Sequence, residues 1–118
     1  MKKVDKMTIN LKEKCLESKN KEFYYGAKLN KDIKDVYLGM GFLEPDSKER
    51  KVGPPRHHEE ILYCSNGRIE ITRKGKKTIL QEGDVYFMPE GKKIKIRNLT
   101  SKRVYYIIAG GHTKFHTH

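Results

Sequence analysis

Between residues 36 and 109 apolar and polar side chains alternate in short runs, and glycine, proline and asparagine punctuate the runs. Ile69 and Ile71 alternate with Arg68, Glu70 and Thr72, the period of a strand with one buried face. The same reading predicts strands over 36–43, 59–64, around Ile79, over 85–88, over 93–98 and over 103–109. Asn66-Gly67 and Gly75 supply turns between them. Gly39 and Gly41 inside the first of these strands suit a bend or a close backbone approach. Residues 44–55 read as a polar loop, closed by Gly53-Pro54-Pro55, which no strand interior tolerates. Residues 1–34 are rich in lysine and weakly patterned. They hold two short strand candidates, 7–11 and 22–25, and a short helix around 11–17. Many short strands with glycine turns, without repeat or coiled coil, predict an antiparallel β-sandwich or barrel.

The stretch 83–98 sharpens this expectation. Gly83, then five residues, Pro89-Glu90-Gly91, two residues, Ile94, three residues and Asn98 match the second signature motif of the cupin family at four positions. Ile94 stands where the family has a metal-binding histidine. The first motif is matched at Glu60 and Gly67, while its two histidine slots fall on Pro54 and Arg56, or on Gly53 and Pro55 at the longer spacing. Over residues 36–109 the chain thus resembles a small cupin. The resemblance implies an all-β fold, the double-stranded β-helix or jelly-roll barrel, with one interior cavity. It divides the chain into an N-terminal segment (1–34) packing on the barrel or on a partner, a barrel (35–109) and a histidine-containing tail (110–118). Only Glu60 of the family's three-histidine, one-glutamate set remains, so no cofactor is expected. A divalent metal enters only through the tail.

Strand parity from Glu60 places Arg56, His58, Leu62 and Cys64 on the same inward face, with Ile94 and Ile96 facing the same space from the second motif. The candidate binding set is therefore Arg56, His58, Glu60, Ile94 and Ile96, with His58 and Glu60 the candidate catalytic pair. Tyr37, Tyr86 and Tyr106 are further hydroxyls of undetermined facing, and His57 has outward parity. Each of these residues also has a structural reading: Glu60 paired with Arg56, His58 a hydrogen-bonded core residue, Arg56 on a solvated rim. Ionisable groups gathered on one inward face favour the functional reading. In the tail, His112, His116 and His118 are the alternative metal ligands, since alternate residues of an extended segment point the same way and zinc takes three or four ligands.

Charge changes the picture little. The formal net charge of +11 comes from 20 lysines and only 6 arginines spread along the chain. Arginine supplies the bidentate contacts of specific nucleic-acid readers, and no recognition motif accompanies the excess, so nucleic acid is not an expected partner. The excess does favour small anionic ligands. A chain of 118 residues suits one domain. There is no apolar run of membrane-spanning length and no apolar stretch after Met1–Lys6, so neither membrane nor signal peptide is expected. Cys15 and Cys64 form no disulfide framework. The resulting expectation is a cytoplasmic homodimer that binds a small polar or anionic molecule in its barrel. The alternatives are a metal-free isomerase or epimerase using His58 and Glu60, or an accessory protein similar to the ethanolamine-utilisation cupins, which share a stretch like Gly41-Phe42-Leu43-Glu44. A filled barrel serving only assembly is the third reading.

Overall fold

The first element is a short helix, α1 (Leu11–Glu17), set by its N-cap: the Asn10 side-chain oxygen accepts from the Glu13 backbone N–H at 3.0 Å. The computed structural model describes residues 7–114. Residues 7–10 form no strand, contrary to expectation, because the cap at Asn10 turns the chain into the helix before a pairing run can develop.

Among the described residues nine strands follow: β1 (Glu22–Tyr25), β2 (Tyr37–Leu43), β3 (Arg50–Val52), β4 (His58–Cys64), β5 (Arg68–Arg73), β6 (Lys76–Gln81), β7 (Val85–Met88), β8 (Ile94–Asn98) and β9 (Val104–His112). They form two antiparallel sheets in a jelly-roll sandwich, one ordered β1-β2-β9-β4-β7 and the other β3-β8-β5-β6. Two features depart from the sequence reading. β3 lies inside the stretch read as loop. Only Val52 of its three residues is buried, too little for a periodic signal, and the strand exists because β8 offers it an edge. β9 runs past Ala109 to His112, so Gly110 and Gly111 pair with β4 instead of opening a tail.

Between the sheets lies one apolar core, in which Leu62, Ile69, Ile71, Ile96, Tyr106 and Ile108 are at most 1% exposed. The motif glycines Gly83 and Gly91 make the turns flanking β7 with φ of 90° and 67°, values that glycine reaches without a Cβ clash. No helix among the described residues is long and apolar enough to cross a membrane.

Candidate functional site

Inside the five-stranded sheet one arrangement occurs twice, as a tyrosine, a glycine and a glutamate side by side on three adjacent strands. In the first, Tyr37 of β2 is paired with Gly110 of β9, which is paired with Glu60 of β4. With no side chain at Gly110, the Tyr37 ring lies across it, so that a Cβ there would sit 2.4 Å from the ring. The hydroxyl donates to Glu60 Oε2 at 2.6 Å. In the second, Tyr106 of β9 crosses Gly41 of β2 and donates to Glu22 Oε2 of β1, while Arg50 Nη1 donates to the same hydroxyl at 2.9 Å. Tyr24 lies over Gly39 between them. The glycines of β2 and β9 are thus seats for tyrosine rings that reach to carboxylates.

Glu60 is 4% exposed, and its second oxygen, Oε1, is buried without a hydrogen-bond partner. Beside it opens a cavity of about 480 Å³ whose wall includes Tyr24, Tyr37, His58 and Glu60, with Lys28 and Pro55 also on its lining. Burial pushes the Glu60 carboxyl above the ordinary carboxylate range; the Tyr37 hydrogen bond and the charges of Lys93 and His58 oppose the shift, and Glu22 adds to it. Burial and the bond to Glu60 together push the Tyr37 phenol up. The raised Glu60 pKa has a consequence for stability. Between its unfolded and folded pKa the native chain keeps a proton that the unfolded chain has lost. Its contribution is therefore complete below the unfolded value and lost as pH rises through the folded one. Glu60→Gln should then raise the melting temperature over that of the wild type by more at pH 8 than at pH 4, read by circular dichroism. A gain equal at both pH values would remove burial as the cause of the shift.

His58 on the cavity wall belongs to the last pair of β4 and β9. His58 and His112 face each other in register, with ring centroids 4.2 Å apart, and His58 also meets Tyr37 at 5.9 Å. Asp35 accepts from the His112 backbone N–H at 2.7 Å and bonds its Nδ1. His58 Nδ1 lies 3.0 Å from the Arg56 carbonyl. A carbonyl only accepts, so Nδ1 carries the hydrogen, and Nε2 of neutral His58 is an acceptor.

The structure brings Glu60 and His58 to one cavity wall and separates the other candidates. Arg56 is corrected: β4 begins at His58, and Arg56 lies exposed in the preceding turn, because Pro54-Pro55 delay the strand. Ile94 and Ile96 are corrected as well. They are 2% and 0% exposed in the packed core, and neither lines the cavity. His112 belongs to β9, and His116 and His118 lie outside the described residues. Tyr24, Gly110 and Asp35 were missed as site residues. Only the glycines of β2, read as close-approach positions, hinted at seated rings.

A family-type metal does not fit these residues. Tyr37 occupies one oxygen of Glu60, Ile94 presents hydrocarbon in the core, and Arg56 points no donor inward. Among the described residues no group of three or more His, Cys, Asp and Glu side chains is arranged to hold a metal ion.

The family model described as a cupin domain matches residues 43–118. Solved structures are similar in fold. A cupin protein from Bacteroides fragilis is 17% identical with a TM-score of 0.67, the match covering 99% of this chain and 93% of that one. The cupin domain of Schizosaccharomyces pombe Cnp3 is 17% identical with a TM-score of 0.58, covering 66% and 56%. The EutQ protein of Clostridium difficile is 18% identical with a TM-score of 0.54, covering 77% and 64%. This chain therefore spans less than two thirds of the length of the last two. No curated protein matches the sequence significantly.

Proposed function

This chain belongs to the cupin domain family, and from that premise we propose that it binds a small polar molecule beside Glu60 without a metal of the family's four-ligand kind. One observation carries the reading: Glu60 Oε1 is buried, unpartnered and next to an open cavity of about 480 Å³. A buried acceptor left unsatisfied costs about 1–3 kcal/mol, which a ligand donor restores. The neighbouring groups set the class of ligand. Tyr37 has committed its proton to Glu60, and His58 Nδ1–H faces the Arg56 carbonyl. With Glu60 ionised, Glu60 Oε1 and the Tyr37 oxygen both accept. A ligand rich in donors, an amine or a polyhydroxyl compound, satisfies them better than an anion does. The rings of Tyr24 and Tyr37, 6.0 Å apart edge to face, supply the apolar wall on which such a ligand packs.

A second reading, a metal-free isomerase or epimerase, is favoured by a carboxyl of raised pKa sharing a wall with an imidazole, a pairing suited to acid–base chemistry. Calorimetric titration with primary amines, small polyols and monosaccharides tests the first reading. At least one compound should bind, and Glu60→Ala should weaken it roughly 10- to 100-fold, as expected for a hydrogen bond to a charged group. Binding indifferent to both Glu60→Ala and Tyr37→Phe would overturn it. Deuterium incorporation into a bound sugar in heavy water would select the second reading.

A further inference from the structure

The β5–β6 hairpin turns on Lys74-Gly75, both with left-handed backbone, φ 51° and 77°. Such a turn favours asparagine or aspartate before its glycine, because a short polar side chain bonds the local backbone there and a lysine does not. On either side of the turn Arg73 and Lys76 are partners in register, so two cations stand directly opposite each other on one face. Like charges so placed cost stability. The opposite face of the same hairpin shows the usual compensation, where Glu70 takes both Arg97 at 3.2 Å and Lys77 at 3.6 Å. Among the described residues none of Arg73, Lys74 and Lys76 is in an ion pair. Two local rules are broken at one hairpin tip, and such departures from what folding asks concentrate at functional sites.

Parity puts Arg73, Lys76 and Thr78 on the face of Ile71, which looks into the core. A second cavity of about 480 Å³ opens there, lined by Arg73, Lys74, Lys76 and Thr78 of the hairpin and by Tyr86 of β7. It shares no lining residue with the Glu60 cavity. Every polar side chain on this lining donates, three of them are cations, and none is a carboxylate. We propose that this cavity is a second binding site, which takes the phosphate group of a small organic phosphate monoester. Such a group carries about −1.5 to −2 charges at pH 7 and three acceptor oxygens, so one ligand offsets both Arg73 and Lys76, where a carboxylate offsets only one. The Arg73 guanidinium matches two phosphate oxygens with parallel N–H bonds, and the Thr78 hydroxyl and Lys74 add donors beside them. The volume is that of a small-molecule site and exceeds what a bare phosphate fills. The half-buried Tyr86 ring, packed against the core, is the wall for the organic part of the ligand. The net charge of +11 raises the local concentration of any such anion.

Calorimetric titration with glycerol phosphate, glucose phosphate and adenosine monophosphate tests the proposal, with inorganic phosphate and sulfate as bare anions. Salt at about 0.15 M screens the long-range pull of the net charge and leaves the site itself. At least one ester should bind more tightly than either bare anion and raise the melting temperature of the chain. Arg73→Gln and Lys76→Gln, each removing one charged donor, should weaken that ester roughly tenfold. Lys77→Gln removes the same charge from the opposite face of the hairpin and should change the affinity by less than about twofold. In amide NMR spectra the bound ester should shift residues 73–78 and Tyr86. Three results would each overturn the proposal: esters that bind no better than sulfate, a loss for Lys77→Gln equal to that for Arg73→Gln, or a single-stranded oligonucleotide that binds through Arg73 and Lys76 while the esters do not.

Discussion

Replacing Asn98 with alanine should lower the unfolding free energy by about 3–4 kcal/mol, read by urea denaturation. Asn98 closes β8 in the four-stranded sheet, yet its side chain serves the other sheet and the loop between. Nδ2 donates to the Leu43 carbonyl at the end of β2, at 2.9 Å, and to the Lys102 carbonyl at 2.7 Å. Oδ1 accepts from the Thr100 backbone N–H at 2.7 Å and from the Thr100 hydroxyl at 2.8 Å. With Asn98 only 7% exposed, alanine strands a carbonyl and an N–H where water does not readily replace the amide, and each orphan costs about 1–3 kcal/mol. Asn98→Asp is the informative companion. It keeps the acceptor and turns the donor into a charge facing two carbonyls, so its loss should match that of alanine at pH 7 and shrink at pH 4. A loss under about 1 kcal/mol for alanine would show that the link between the sheets is carried elsewhere.

Ile94→His should destabilise the chain by about 2–4 kcal/mol and bring no stoichiometric zinc. The change restores the side chain that the family motif calls for, so it separates a metal site lacking one ligand from a core that has closed over the position. Ile94 is 2% exposed, paired with Val52 of β3 and packed in the core cluster. Imidazole there forfeits apolar burial and desolvates two nitrogens. The remaining donors do not converge, because Tyr37 holds one oxygen of Glu60 and Arg56 lies in solvent. Chemical denaturation and elemental analysis after dialysis against zinc give the two readouts. A variant as stable as the wild type that carries one equivalent of zinc would mean that the interior still has room for the metal.

The two substitutions also mark where the motif was informative. The spacing from Gly83 to Asn98 located both turns of β7 and the side chain that ties the sheets, since these depend on backbone geometry that a few local residues impose. Periodicity placed Glu60, Leu62 and Cys64 on one buried face, because a strand's side chains alternate whatever lies opposite. It failed for Arg56, whose inward facing required the strand to begin at Arg56 itself, directly after two prolines, whereas β4 begins at His58.

What the sequence determined by itself is therefore local and periodic: the all-β class, most strand positions, the motif turns and the inward carboxylate Glu60. What only the tertiary structure decided is the company that Glu60 keeps. The sheet order β1-β2-β9-β4-β7 interleaves distant segments, so Tyr37, 23 residues upstream, reaches Glu60 across Gly110 from the chain's far end. The same order sets His112 against His58 and gathers Leu38, Ala109, Ile61 and Phe87 into one outward row. No local propensity encodes these meetings. They follow from which strand edges pair, and that choice is made by the packing of the whole sandwich.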